Sequence, residues 1–305
     1  MRPHHWLKNL LVLAVPLAAG QLLEPAVLSA TALAFAAFCF ASSATYLVND
    51  VIDAPRDRLH PRKRTRPVAS GALSPGTALT VAAALMVVAL VIGFLVAPAL
   101  GAVLAAYLVL TFGYSRWLKA EPVIELALLA SGFLLRAVAG GAATGLPISM
   151  WFLLVAGFGS LFMAAGKRYS ELVTSDPATE TRAVLKGYTA TFLRFVWGMT
   201  AGITIVCYGL WSADLSQSGN PSWEAASVIP FALMILKYGQ VIDAGSAEAP
   251  EDVLIGNRWM QVLGAAWLAL FALGVFHGSA APHGLGPHGA QPGHRHRPAA
   301  RNRGR

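Results

Sequence analysis

The chain has 305 residues, of which 56% are hydrophobic and only 12% charged, and its mean hydropathy is +0.57. A soluble domain carries roughly 25% charged residues, so the composition excludes an ordinary soluble globule and points to a membrane protein. The two cysteines, Cys39 and Cys207, both lie inside apolar runs, which excludes a disulfide framework or a zinc site.

Nine apolar runs follow one another, at about 7–22, 26–48, 76–96, 98–113, 122–142, 148–166, 190–212, 224–243 and 259–277. Most approach the ~20 residues that a membrane-spanning helix needs. Lipid offers no partner to open backbone groups, so the spans must be helices or a closed barrel. The ten-residue alternation of barrel strands is missing. The first run lacks a small-residue cleavage site and reads as a span, not as a removed signal. The expected fold class is therefore all-α, an integral membrane protein with nine transmembrane helices over residues 1–278. Residues 279–305 are rich in Gly, Pro, His and Arg, cannot bury a core, and read as a disordered tail.

Seventeen of the 23 Lys and Arg residues fall at the N-terminus and in the second, fourth, sixth and eighth loops. The loops "QLLEP", "VAPAL", "GGAATGLPIS" and "SADLSQSGNPSWE" carry none. The positive-inside rule then sets the N-terminus and the large loops in the cytoplasm, in the inner (plasma) membrane. That placement explains most of the net charge of +8 and excludes a nucleic-acid binder. Arg136 lies inside the fifth span, where an ionisable group is usually paired and functional. Glu125 is eleven residues away, too far for a direct pair; Asp243 and Glu251 stay open as partners.

Charge is densest in "NDVIDAPRDRLHPRKRTRPVASG", residues 49–71, which joins the second and third spans. At 100° per residue Asn49, Asp50, Asp53 and Asp57 share one helix face, although Pro55 interrupts the ideal helix and threatens to displace Asp57. Several oxygen ligands on one face suit Mg²⁺, which takes one or two carboxylates and completes its shell with water and phosphate oxygens. The basic run that follows, Arg58, Lys63, Arg64 and Arg66, suits a diphosphate beside the metal. A solvated loop obeying the charge rule explains the cations. It does not explain three acids on one face at a membrane boundary.

The pattern N-D-x-x-D-x-x-x-D-R resembles the first aspartate-rich motif of the UbiA family of intramembrane prenyltransferases, and the nine spans fit as well. The resemblance implies a helical bundle whose acids face a central cavity, with Mg²⁺ (or Mn²⁺) on Asn49, Asp50 and Asp53 holding a diphosphate leaving group and Asp57 assisting. The family's second acidic motif is replaced here by "GKRYSEL", with Lys167 and Arg168 in place of a D-x-x-x-D. With "RPHHWLKN", "YSRWLK", "SGFLLRAVAGG" and "APEDVL", the chain is similar to a branch of the family that works in actinobacterial cell-wall synthesis. That branch moves 5-phosphoribose from phosphoribosyl pyrophosphate to a polyprenyl (decaprenyl) phosphate. The resemblance covers residues 2–278 and assigns phosphate contacts to Arg58, Lys63, Arg64 and Arg66. It makes Lys167, Arg168 and Tyr169 an opposite wall, Tyr114, Arg116 and Lys119 candidates for the 5-phosphate or the acceptor phosphate, and Lys8 a contact to the acceptor phosphate at the bilayer surface. Arg116 and Lys119 read equally well as interface anchors, and Tyr114 as a belt aromatic. Three positions depart from the branch: His5 for Gln, Glu125 for Asp, and no acid near Gly256–Asn257.

Three alternatives stay in view. A prenyltransferase that moves a polyprenyl chain from its diphosphate to an aromatic or quinone-precursor acceptor would carry a second acidic pair. A transporter would show repeats and polar residues deep in its spans. Homo-oligomer formation is compatible with the sequence but not dictated by it.

Overall fold

The computed structural model describes the backbone of residues 3–59, 63–116, 121–174, 183–215, 223–248 and 250–278. The expected tail, 279–305, lies outside the described residues. Every element among the described residues is helical. A 3₁₀ segment, Pro3–Leu13, leads into α1 (Ala14–Ala18). There follow α2 (Pro25–Asp57), α3 (Pro75–Val96), α4 (Pro98–Arg116), α5 (Ile124–Thr144), α6 (Met150–Thr174), α7 (Ala190–Leu215), α8 (Trp223–Asp243), α9 (Pro250–Gly256) and α10 (Arg258–Gly278). Seven of these, α2, α3, α5, α6, α7, α8 and α10, are long and apolar enough to cross a membrane. Two apolar segments are shorter, Trp6–Ala18 and Pro98–Tyr114.

The first segment differs from the α-helix that its apolar run suggests, because hydropathy reports polarity and not pitch. A 3₁₀ helix rises ~2.0 Å per residue, so these eleven residues cover about 22 Å where an α-helix would cover about 17 Å. The segment is pressed against α5: a Cβ at Gly140 would fall 2.1 Å from the Val12 carbonyl oxygen. Only glycine permits that approach.

Successive long helices pack on one another from α2 to α8, and α10 packs on α8. The 3₁₀ segment lies against α2 and α5, and α9 lies against the 3₁₀ segment, so the two ends of the bundle meet. One core unites α2, α3, α4 and α5 around Phe38, Leu100, Leu104 and Tyr107. A second unites α6, α7 and α8 around Phe162, Tyr169, Tyr238 and Ile242. An aromatic cluster of Tyr208, Trp211, Phe231, Trp267 and Phe271 joins α7, α8 and α10. The exposed surface of α3 is apolar as well, with Val87, Val91, Phe94 and Leu95 outermost, as suits a helix solvated by lipid. Asn257 caps α10, its Oδ1 accepting from the N–H groups of Trp259 and Met260 at 3.0 and 3.2 Å. That cap gives the residue a structural use where the branch pattern led us to expect an acid.

Candidate functional site

The helix α2 runs through Pro55 and ends at Asp57, so the proline does not displace Asp57 from the acidic face. Proline removes one hydrogen bond near the end of a helix, where fewer turns depend on it. Asp50 and Asp57 are buried; Asn49 and Asp53 are half-buried. After residue 62 the chain makes a 3₁₀ turn, Lys63–Thr65, and folds back on α2. Val68 packs there against Ala54 and Ala78, and Arg58 Nε donates to the Ala69 carbonyl at 3.3 Å. The return brings Arg66 Nη1 to 2.6 Å from Asp57 Oδ2 and 3.4 Å from Asp50 Oδ1. A cavity of about 120 Å³ between α2 and this loop is lined by Ser43, Tyr46, Leu47, Asp50, Pro67, Val68 and Leu73.

Among the described residues no three Asp, Glu, His or Cys side chains converge closely enough to form an ion site. Asp50 and Asp57 nevertheless address a single nitrogen of Arg66, so two carboxylates already point at one cation position, and Asn49 and Asp53 lie on the same arc of the helix. An all-oxygen set of one or two carboxylates with room for water and phosphate is the donor chemistry that Mg²⁺ prefers. The residues present fit that ion.

A second polar cluster joins α4, α5 and α6. The Arg168 side chain is 1% exposed and lies between two carboxylates. Its Nε donates to Glu125 Oε1 at 2.8 Å, its Nη2 contacts the same oxygen, and its Nη1 contacts Glu171. The Tyr114 hydroxyl donates to Glu125 Oε1 at 3.3 Å and accepts from Arg168 Nη2 at 3.4 Å. Glu125 is fully buried, and among the described residues its Oε2 has no hydrogen-bond partner.

Tyr169, the next residue, faces elsewhere, because neighbours on a helix differ by 100°. Arg194 of α7 donates to its hydroxyl at 2.6 Å and to Asp243 of α8 at 2.9 Å, with the guanidinium 5.5 Å from the Tyr169 ring centroid. The structure thus divides the wall that Lys167, Arg168 and Tyr169 suggested in sequence: Arg168 turns to α4 and α5, Tyr169 to α7 and α8. Lys8, Lys63 and Lys167 are half-buried and Arg64 is exposed. Lys119 and the side chain of Arg116 lie outside the described residues.

Sequence reasoning missed Glu125 as the partner of Arg168, and Arg194 as more than an orienting charge. It left the partner of Arg136 open between two acids; the side chain of Glu251 lies outside the described residues, and Asp243 is engaged elsewhere. Arg136 Nε donates to Asn9 Oδ1 at 2.7 Å, Nη1 to the Gly132 carbonyl at 2.5 Å and Nη2 to the Tyr107 hydroxyl at 3.0 Å. Its guanidinium lies 4.8 Å from the Tyr107 ring centroid and 5.8 Å from that of Phe38. Asp243, one of the two candidates, is engaged by Arg194 instead. Outside the spans, Tyr188 accepts from the Val123 N–H at 2.8 Å. Burial pushes the Tyr188 phenol above its ordinary value, and the Val123 bond offsets this in part.

Residues 10–263 match the model of the UbiA prenyltransferase family. The decaprenyl-phosphate phosphoribosyltransferase of Corynebacterium glutamicum is 44% identical over 283 residues, covering 90% of this chain and 85% of that protein. The protein of the same name from Mycobacterium tuberculosis is 44% identical, covering 91% of this chain and 93% of its own length. Among solved structures, a UbiA homolog from Archaeoglobus fulgidus bound to DMAPP and Mg²⁺ superposes with a TM-score of 0.69 over 90% of this chain and 97% of that one. It is 18% identical. A homolog from Aeropyrum pernix gives 0.60 at 16% identity, over 92% of this chain and 98% of that one.

Proposed function

The chain belongs to the UbiA prenyltransferase family, and from that premise we propose that it transfers 5-phosphoribose from phosphoribosyl pyrophosphate to a polyprenyl phosphate, releasing pyrophosphate. The observation that carries this reading is the 44% identity, over nine-tenths of the chain, to relatives named for that reaction. The lipid is a decaprenyl phosphate by the same argument, and the product feeds arabinan precursor synthesis for the cell wall. The protein crosses the inner membrane nine times with the site at the cytoplasmic face. Supporting nine passes, the 3₁₀ rise and α1 together span about 30 Å, the thickness of the hydrocarbon core.

In this reaction a phosphate oxygen of the lipid attacks the anomeric carbon. The bond from that carbon to the pyrophosphate oxygen breaks, and the electron pair leaves with pyrophosphate. A phosphate monoester is already ionised, so no strong general base is needed. Asn49, Asp50 and Asp53, with Asp57 beside them, would hold Mg²⁺, which when bound would supply positive charge for the departing pyrophosphate. Arg66 exchanges Asp50 and Asp57 for a phosphate when substrate enters; Arg58, Lys63 and Arg64 add charge around it. Lys167 and Tyr114 face the second phosphate, with Lys8, Arg116 and Lys119 at its approach. Arg168 braces that wall from behind, since its guanidinium is already shared between Glu125 and Glu171.

The test is transfer of radiolabelled ribose phosphate from phosphoribosyl pyrophosphate into an organic-extractable polyprenyl phosphate by purified protein. Transfer supports the reading. Active protein that ignores phosphoribosyl pyrophosphate and prenylates an aromatic acceptor from a polyprenyl diphosphate refutes it.

A further inference from the structure

The connection from α4 to α5 ends in a backbone outlier. Val123 has φ 68° and ψ −53°, and the Ile124 N–H donates to the Pro122 carbonyl at 2.7 Å. This is a γ-turn of the rare, strained hand, with a β-branched residue at its centre, where positive φ is least tolerated. A second loop holds it. Tyr188, between α6 and α7, is buried, takes the Val123 N–H and stacks on Phe192 with ring centroids 6.1 Å apart. Beside it Gly187 closes on Pro122, so tightly that a Cβ would meet the proline Cγ at 2.4 Å.

Two residues after Val123 is Glu125, the acid that receives Arg168 and Tyr114. A carboxylate used only as a lock would engage the guanidinium fork with both oxygens. Among the described residues Oε1 takes the donors and Oε2 has no hydrogen-bond partner in the interior. A strained turn and an unpaired buried acceptor both cost stability, and costs of this kind gather where geometry serves chemistry. The residues they fix include Tyr114, from the "YSRWLK" segment.

We propose that Glu125 is a positioning residue for phosphoribosyl transfer: seated by the Val123 turn and its Tyr188 clasp, it holds the Tyr114 hydroxyl and the Arg168 guanidinium at the wall where a substrate phosphate rests. The proposal stands on the phosphoribosyl-transfer reading above. Glu125 acts through Tyr114, so the two side chains must be energetically coupled in the rate.

Steady-state transfer by the full chain tests this in wild type, Glu125→Gln, Glu125→Asp, Tyr114→Phe, Tyr188→Phe and the double variant Glu125→Gln/Tyr114→Phe. Glu125→Gln and Tyr114→Phe should each lower kcat by roughly 10- to 100-fold, the scale of a misplaced site. The double variant should fall no further than the weaker single one, since coupled residues are not additive. Glu125→Asp should recover most of the loss. Tyr188→Phe should lower kcat by about 3- to 10-fold with an almost unchanged thermal midpoint, as when a site is slightly misplaced. Losses that multiply in the double variant, or a folded Glu125→Gln with wild-type kcat and KM, overturn the proposal. If Glu125→Gln does not fold, wild-type kcat and KM in Tyr188→Phe overturn it. Wild-type protein that transfers no phosphoribose sinks the functional reading, and the proposal with it; transfer that these variants leave untouched sinks the proposal alone.

Discussion

Replacing Arg66 by Gln removes the guanidinium that Asp50 and Asp57 share. Its Nη1 stands 3.4 and 2.6 Å from their oxygens. Those oxygens are therefore within about 6 Å of each other, where two like charges repel by about 3 kcal/mol at an effective dielectric near 20. In wild type an entering divalent ion must displace the guanidinium. In the variant it meets two carboxylates from which that guanidinium is gone, and it relieves their repulsion. Metal binding without pyrophosphate should tighten by roughly 10- to 100-fold, or about 1.4–2.8 kcal/mol. Pyrophosphate binding should weaken by about tenfold, because a charge-assisted contact to phosphate is lost. Calorimetric titration of purified protein with Mn²⁺, with and without pyrophosphate, measures both. The thermal midpoint of the variant should also depend more steeply on Mg²⁺ than that of wild type. A folded variant whose metal affinity is unchanged or weaker would show that Arg66 and the ion do not compete for the same carboxylates.

Asp50→Asn and Asp53→Asn should each lower transfer about 10²-fold, the scale of a lost electrostatic contact to a leaving group; full rates in folded variants would remove both from the metal site. Single cysteines at Ser70 and Ser218, in a background without Cys39 and Cys207, should label from opposite faces of sealed vesicles, and labelling from one face would contradict nine passes. Burial raises the Tyr188 pKa, so its neutral form is favoured in the folded protein. That contribution is complete below the ordinary tyrosine value of about 10 and is lost as pH rises through the folded value. Tyr188→Phe should therefore flatten the alkaline fall in thermal stability, and identical alkaline limbs in variant and wild type would show that Tyr188 carries none of it.

What the sequence made legible is what depends on local period and on solvent. Apolar runs mark the helices because lipid demands closed backbone hydrogen bonding. The acids of α2 fall on one face because four residues within nine positions obey one helical repeat. The pitch of the first segment was not legible, since an apolar residue looks the same on a 3₁₀ helix and an α-helix. Partners brought in by packing were hidden too: Glu125 reaches Arg168 from 43 positions away and Asn9 reaches Arg136 from 127. Arg168 read as a wall cation because the chain gives no sign that Glu125 folds against it. Arg194 read only as loop charge because Tyr169 and Asp243 belong to other helices.

The three arginines Arg66, Arg136 and Arg168 show how the bundle distributes acid. Arg66 and Arg168 each sit between two carboxylates. Arg136, twelve residues into α5 and so about 18 Å from its start, is held by an amide, a carbonyl, a phenol and two aromatic faces. No carboxylate among the described residues pairs with it, and a guanidinium does not give up its proton. Its charge is stabilised by dipoles and ring quadrupoles alone. Near the helix ends, Arg66 and Arg168 are thus each matched by two acids. The interior beneath them keeps a positive charge that adds to the attraction for an anionic substrate. A carboxylate beside Arg136 would neutralise that field without gaining a ligand for the metal, so the neutral cradle of Asn9 and Tyr107 is the arrangement that serves a site built for phosphate.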